Sequence, residues 1–134
     1  MDLTKRLEEI VAEFASDGGS IHMIEADGML HAKAWANIPE VVQNITRVIP
    51  FGKGMAGLAW ERREPITACN IQTDTSGDVK PGAKLTGMEG ALVVPILRGE
   101  NVIGTLGIAN RSERTFTDEE KARLIDRGRE IASQ

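Results

Sequence analysis

The chain has 134 residues, of which 41% are apolar and 27% charged, and it contains a single cysteine. These values predict one globular domain spanning residues 1–134, with no room for a separate output domain. Sixteen basic against twenty acidic residues give a net charge of −4 without a basic cluster, which argues against nucleic-acid binding. The lone cysteine excludes an intrachain disulfide and indicates a reducing compartment. Because the first fifteen residues are rich in charge, they predict neither a signal peptide nor a membrane span, so we expect a cytoplasmic protein with no membrane partner.

The chain begins with an amphipathic helix, since apolar residues recur at helical spacing from Leu3 to Phe14. Asp2 is placed to cap its first turn, and Asp17-Gly18-Gly19 is expected to end it. Its polar face carries acids as well as bases. We therefore expect this helix to pack on the domain rather than lie on a membrane surface.

A predicted hairpin follows, in which the strands Ser20–Glu25 and Met29–Ala36 flank the turn Asp27-Gly28. A two-residue turn would place His22 and His31 on one face of the sheet, within reach of a shared metal or haem iron. The alternative is two half-exposed strand histidines, because no Cys, Asp or Glu at ligand spacing accompanies them.

A glycine-rich corner, Ile49–Gly57, connects a predicted strand, Thr46–Ile49, to a predicted helix, Leu58–Arg63. A shorter helix is predicted before the strand, beginning at Ile38-Pro39-Glu40. The first N–H groups after such a corner lack intrahelical partners, so we expect it to form one wall of a small-molecule pocket. Its glycine spacing matches dinucleotide-binding loops, but the repeated strand–helix–strand architecture of those proteins is missing. Trp60 follows, either beside this pocket or as plain core.

The stretch Ile66–Ile71 predicts another strand, which contains Cys69. With no cationic residue nearby in the sequence, Cys69 is expected to be a buried structural thiol rather than a nucleophile. A long irregular stretch, Gln72–Gly90, comes next. A loop of this length either lines or covers a polar ligand site or is a solvated surface loop.

Two nearly continuous apolar runs, Ala91–Leu97 and Asn101–Ala109, predict central strands of a sheet that is covered on both faces. Gly104 and Gly107 point to opposite sides, and one of them is expected to let another element approach closely.

The last predicted element is a helix that begins at a capping box, with Thr117 at the N-cap and Glu120 at N3. The two terminal helices carry apolar stripes. They can therefore lie side by side on one face of the sheet or pair between subunits, which makes a homodimer plausible.

In this order of elements the chain resembles a GAF domain over essentially its whole length. The residues that carry the resemblance are Asp27-Gly28, Ile49-Pro50-x-Gly52-x-Gly54-Met55-Ala56-Gly57, Val93-Val94-Pro95-Ile96, Ile103-Gly104-Thr105-Leu106 and Phe116-Thr117-x-Glu119. The resemblance implies an α+β fold. Its central antiparallel sheet has about six strands, with the terminal helices on one face and short helices and the long loop forming a ligand pocket on the other. The family's ligands are cyclic nucleotides, bilins, haem, amino acids or 2-oxo acids.

The glycine-rich corner and the strand Leu92–Pro95 are also similar to free methionine-(R)-sulfoxide reductase, an enzyme with this fold. That resemblance implies catalytic cysteines, but Ala56 occupies the place of one of them, and the region of Thr86 and Gly87 has none. Ala91 also stands where the reductase family has an acidic residue, just before the strand Leu92–Pro95. A reductase would have to use Cys69 with an external thiol.

The cyclic-nucleotide signature of GAF domains is only partly present, because Lys121 replaces half of an expected acidic pair beside Glu120. Arg111 is still able to pair with Glu120. Cys69 is not part of a bilin-attachment motif.

These observations predict a stand-alone, non-catalytic GAF-type domain that binds a small molecule of unidentified chemistry, forms a homodimer through its terminal helices and regulates a separate signalling protein. The alternatives are a thiol-dependent relative of the sulfoxide reductase and a haem or metal sensor that uses His22 or His31. The predicted ligand-binding residues are Trp35, Met55, Trp60, Asp78, Thr86 and Glu89.

Overall fold

The helices and strands follow one another in the predicted order. The computed structural model describes residues 1–79 and 81–134. The helices are α1 (Leu3–Glu13), α2 (Glu40–Ile45), α3 (Gly54–Arg62), α4 (Pro81–Lys84) and α5 (Asp118–Ala132). The strands are β1 (Gly18–Ile24), β2 (Leu30–Ala36), β3 (Val48–Ile49), β4 (Ile66–Ala68), β5 (Gly90–Arg98) and β6 (Asn101–Asn110). The long stretch predicted to be irregular therefore contains one short helix, α4, and two predicted strands, those at β3 and β4, are shorter than expected.

The sheet has six strands in the order β3-β2-β1-β6-β5-β4, and every neighbouring pair is antiparallel. This confirms the predicted α+β fold. The central pair, β5 and β6, is buried along most of its length, as their continuous apolar sequences predict. Of the helices that the structure describes, none combines the length and the apolar character needed to cross a bilayer.

The terminal helices α1 and α5 cover one face of the sheet and form the main core with it. Leu7 and Ile10 of α1, Leu106 of β6 and Leu124 of α5 are fully buried there. Burying a side chain of this size contributes about 1.5–3 kcal/mol, so this layer supplies most of the stabilising apolar burial.

Ion pairs join the outer edges of α1 and α5, which lie antiparallel to each other. The Arg127 guanidinium donates to the Glu13 carboxylate at 2.8 Å, and Arg6 donates to Glu130 at 2.5 Å. The hydrogen bond from Arg127 holds the pKa of Glu13 below its ordinary value. Because these side chains are partly exposed, each pair contributes at most about 1 kcal/mol.

Side-chain caps begin both terminal helices as predicted. Asp2 accepts a hydrogen bond from the Lys5 amide at 3.1 Å, and the Thr117–Glu120 capping box is complete. The predicted stop of α1 at Asp17-Gly18-Gly19 is wrong. The helix ends at Glu13 because Ala15 turns into the left-handed region with φ 51°, and both glycines then belong to β1.

The register of the first hairpin also differs from the prediction. The Glu25 amide bonds the Met29 carbonyl, and the Asp27 side chain accepts from the Met29 amide, so the loop has three residues rather than two. Gly28, with φ 80°, supplies the left-handed residue that such a loop requires. As a result His22 pairs with Ala32, His31 pairs with Met23, and the two histidines lie on opposite faces of the sheet.

Candidate functional site

A cavity of about 300 Å³ lies on the face of the sheet that α1 and α5 leave uncovered. It is bounded by the sheet, by α2 and α4, and by the glycine-rich corner with the first turn of α3. Nearly all of its lining is apolar, with a few polar groups among the described residues. A concave, largely apolar site of this kind is typical of small-molecule binding.

Small side chains form the floor of the cavity. Successive residues of a strand point to opposite faces, and in the middle of β5 and β6 the residues that face the cavity are mostly smaller than those that face α1 and α5. On β5 and β6 these are Ala91, Val93, Gly107 and Ala109, and on β1 Ser20 lies beside Gly107. The cavity therefore exists because the sheet lacks bulk on this side.

The corner predicted to be a pocket wall lines the cavity with its residues Ile49, Pro50 and Lys53 to Ala56. A Cβ at Gly57 would lie 2.7 Å from the Pro50 carbonyl oxygen, so only glycine lets the chain fold back against itself here. Helix α3 begins at Gly54, four residues earlier than predicted, and its first amides border the cavity. Such amides have no intrahelical acceptor and can donate to a bound molecule.

His22 is the buried polar side chain of the cavity wall, with 3% of its surface exposed. Its Nε2 lies 2.8 Å from the Thr46 carbonyl oxygen, so Nε2–H donates and Nδ1 is left as the acceptor of the ring. The ring meets Trp35 edge to face, with 5.4 Å between the centroids. Burial lowers the pKa of His22, which keeps the ring neutral near neutral pH.

Hydrogen bonds hold α4 and the residues after it over the cavity. The Thr86 hydroxyl donates to the Ala83 carbonyl at 2.8 Å and accepts from the Met88 amide at 2.9 Å. The Gln72 side-chain amide donates to the carbonyls of Lys84 and Met88, at 3.0 and 2.8 Å. These bonds position Ala83 and Thr86 in the lining, whereas Gln72 acts from outside it.

Comparison with known proteins identifies the fold. The family model of the GAF domain matches residues 2–127. The chain belongs to the GAF domain family. No curated protein sequence matches it.

Solved structures share the fold at low sequence identity. The GAF domain of a phosphoenolpyruvate-protein phosphotransferase from Coxiella burnetii is 22% identical, with a TM-score of 0.80 over 98% of this chain and 78% of that one. The type II free methionine-R-sulfoxide reductase from Thermoplasma acidophilum is 16% identical, with a TM-score of 0.78 over 98% and 87% of the two chains. The NreA protein from Staphylococcus aureus, with mutations in its nitrate-binding site, is 17% identical, with a TM-score of 0.72 over 87% and 90%.

Three of the predicted ligand-binding residues line the cavity of this GAF domain. Trp35 lies on β2, Met55 in the first turn of α3, and Thr86 just after α4. These elements are far apart in sequence, and the fold brings them to one site. Their contact with a ligand stays a prediction.

The other three predicted residues do not border the cavity. Trp60 turns toward Phe51, and their rings meet edge to face with centroids 4.9 Å apart. The Asp78 carboxylate lies 3.4 Å from the Arg62 guanidinium. Glu89 precedes β5, and its amide and carbonyl bond Asn110 and Ile71. Each is therefore held by its own neighbours in the GAF domain.

The predicted ligand-binding residues did not include Ser20, His22 and Gly107, and His22 was considered only as a metal or haem ligand. A signal for them was available in the alternation of large and small residues along β6, where Leu106 and Ile108 alternate with Gly107 and Ala109. Ser20 and His22 are two residues apart on β1, so they share the face that Gly107 occupies.

The expectation that Cys69 is a buried thiol is wrong. Cys69 is exposed, and its sulfur lies 3.6 Å from the Thr115 hydroxyl oxygen. Strand β4 ends at Ala68, so Cys69 lies in the turn that follows rather than inside the sheet. It does not line the cavity, whereas Ala56, at the place of a reductase cysteine, does.

A metal or haem iron shared by the two histidines does not fit the geometry. His22 is bonded to the Thr46 carbonyl, while His31 lies on the opposite face with its Nε2 2.8 Å from the Asp27 carboxylate. Across residues 1–79 and 81–134, no group of three or more His, Cys, Asp or Glu side chains could hold a metal ion.

Glu120 pairs with Arg114 rather than with Arg111, which the sequence left as an option. The Arg114 guanidinium donates to the Glu120 carboxylate at 2.5 Å and to the Phe14 carbonyl at 2.6 Å. Arg111 lies nearer to Asp17, whose side chain accepts from the Arg111 amide at 2.7 Å. Arg114 thus links Glu120, in the first turn of α5, to the backbone at the end of α1.

Proposed function

We propose that this GAF domain binds a compact small molecule in the cavity and acts as a sensory or regulatory domain without catalysing a reaction. The main support for the proposal is the cavity, because a protein rarely keeps an apolar space of about 300 Å³ beside its sheet unless something fills it. The proposed output is a change in how the domain contacts a separate signalling protein.

The cavity favours a ligand with a compact apolar body and one anionic or hydrogen-bond-accepting group. Its volume of about 300 Å³ is at the lower end of the range for ligand pockets. Lys53 is the only residue of the described lining with a full charge, and it stands next to the first amides of α3. Both groups attract negative charge.

We propose that Trp35, Met55 and Thr86 contact this ligand. Trp35 and Met55 offer apolar surface, and Met adapts its shape to the bound molecule. The Thr86 hydroxyl already donates to Ala83, so it offers the ligand an acceptor rather than a donor. Trp60, Asp78 and Glu89 take no part in binding under this proposal, because their side chains lie outside the lining.

The positions of Ala56 and Cys69 support a role without catalysis. A reductase needs a thiolate at the bound sulfoxide and then a resolving thiol. At the place of a reductase cysteine, the cavity is lined by the methyl group of Ala56. The single thiol of the chain, Cys69, is exposed outside the cavity. We expect no thiol-dependent turnover of free methionine-(R)-sulfoxide; turnover that disappears in Cys69→Ala would contradict this part of the proposal.

A thermal-shift screen over metabolites and nucleotides, with native mass spectrometry of the hits, tests the proposal. Ala56→Leu fills the cavity from the first turn of α3, where leucine is a good helix former. Ala26→Leu, in the exposed loop between β1 and β2, is the matched control. Hits should raise the Tm of the wild type and of Ala26→Leu but not of Ala56→Leu. A screen with no binder, or hits that survive in Ala56→Leu, would overturn the proposed function.

The proposed homodimer uses the outer surface of α1 and α5. The two helices lie side by side, joined by Arg6–Glu130 and Glu13–Arg127, and so present one continuous two-helix surface to a second copy. Light scattering coupled to size-exclusion chromatography measures the mass. A monomer at every concentration tested would remove the dimer from the proposal without affecting ligand binding.

A further inference from the structure

Gly104 and Gly107 of β6 are both buried, but they are glycines for different reasons. A Cβ at Gly104 would lie 2.3 Å from the His22 carbonyl oxygen, so the neighbouring strand excludes any side chain there. A Cβ at Gly107 would have the Val93 Cγ2 at 3.3 Å and the Ser20 Oγ at 3.7 Å as its nearest neighbours. Both belong to side chains of the cavity floor. Backbone packing therefore requires glycine at position 104, whereas at position 107 a Cβ would need the Val93 side chain to shift by a few tenths of an ångström.

The missing side chain of Gly107 leaves the backbone of β6 as part of the cavity floor. Gly107 lies between Ser20 on β1 and Val93 on β5, directly opposite each in the strand pairing. Ala91 and Ala109 lie nearby and are also small. Any side chain at position 107 would stand up from the sheet into the space above these residues.

We propose that Gly107 is a specificity-determining residue, because its missing side chain lets the apolar end of the ligand rest on the backbone of β6 between Ser20 and Val93. The residue thereby sets the length of ligand that the cavity accepts. This inference rests on the proposed function and adds an orientation to it. The apolar end of the ligand lies against Gly107, and its anionic end points toward Lys53 and the first turn of α3.

Straight-chain carboxylates from butanoate to octanoate provide a graded set of probes. Calorimetry should show that affinity for the wild type rises with chain length until the chain reaches the floor, and then falls. Gly107→Ala should move this optimum to a shorter chain. Gly107→Val should weaken binding of the longest bound probe about tenfold or more, the usual effect of overfilling a packed space.

Gly128→Ala is the matched control. A Cβ at Gly128 of α5 would contact Ile96 at an ordinary 3.5 Å on the opposite face of the sheet, so this variant should keep the wild-type optimum. Circular dichroism and the Tm show whether each variant folds. If Gly107→Val does not fold, Gly107→Ala alone tests the role of Gly107. An optimum that is identical in the wild type and Gly107→Ala would overturn the role of Gly107 and leave the proposed function standing. A wild type that binds none of the probes would overturn the proposed ligand class and this inference with it.

Discussion

The two faces of the sheet differ in the size of the side chains that they present. Toward α1 and α5, the strands β5 and β6 direct large side chains with 2% or less of their surface exposed, namely Leu92, Val94, Ile96, Leu106 and Ile108. Toward the cavity the same strands direct alanine, valine and glycine. One face is filled to the density of a protein interior, and the other keeps a space of about 300 Å³. The comparison shows how one strand can stabilise the fold and leave room for a ligand at once.

The helices over the two faces also differ, in how firmly their ends are held. Both α1 and α5 begin with side-chain caps and are joined by ion pairs, whereas α2 and α3 have no side-chain cap. Large apolar side chains near the cavity are more than one-third exposed: Val41, Ile45, Val48, Phe51 and Leu85. The cover of the cavity is therefore built from weakly secured elements, which are the parts of a domain that open most readily.

Substitutions in the middle of each face test the comparison with the largest expected effect. Leu106→Ala should lower the free energy of unfolding by about 2–5 kcal/mol, because it opens a hole in a filled layer. Val93→Ala, facing the existing cavity, should cost about 1 kcal/mol or less, since Val93 loses fewer contacts. Urea unfolding measures both. Equal losses would mean that the two faces are packed alike.

Removing a cap should have a smaller effect, confined to the helix-covered face. Thr117→Ala should cost about 1 kcal/mol, because the Glu120 amide loses its 3.1 Å bond to the Thr117 hydroxyl. The exposed Thr73→Ala in the cavity-side loop should change stability by less than about 0.5 kcal/mol. The same urea titration compares them, and a Thr117→Ala loss no greater than that of the control would show that the cap is dispensable.

The smallest effect expected is a pH dependence that comes from the cavity face. Burial lowers the pKa of His22, so on acidification the unfolded chain takes up a proton before the folded one does. Stability should thus be complete above the ordinary histidine pKa of about 6.5 and decline as the pH falls toward the lowered value. His22→Gln should flatten this decline, and His31→Gln should keep most of it, because the charge of His31 is the smallest of the causes that act on the His22 pKa. Urea midpoints at several pH values measure the slope; equal slopes in all three proteins would exclude His22 as its source.

Much of the fold could be predicted because its signals are local. The apolar spacing of α1, the capping box of α5 and the continuous apolar runs of β5 and β6 are each visible within about fifteen residues. The hairpin register was not predictable in this way. It depends on whether Asp27 and Gly28 form a two- or three-residue loop, and the extra loop residue shifts the pairing by one as far as His22, where a bulge between Ile21 and His22 shifts it back.

The site was harder to predict because it depends on contacts between distant elements. The corner was recognisable as a pocket wall from its glycines, and Trp35, Met55 and Thr86 do line the cavity. The direction of the Trp60 side chain was not predictable, because it follows from contact with Phe51. Cys69 is exposed because β4 ends at Ala68, and no residue of the sequence marks that end of the strand.

The central claim is that the face opposite α1 and α5 is a ligand site, and a crystal structure with the strongest hit of the thermal-shift screen tests it most directly. Electron density for that molecule is expected between Trp35 and Met55, with its apolar end on Gly107 and its polar end toward Lys53. Density for the molecule elsewhere on the domain, with the cavity left to solvent, would contradict it.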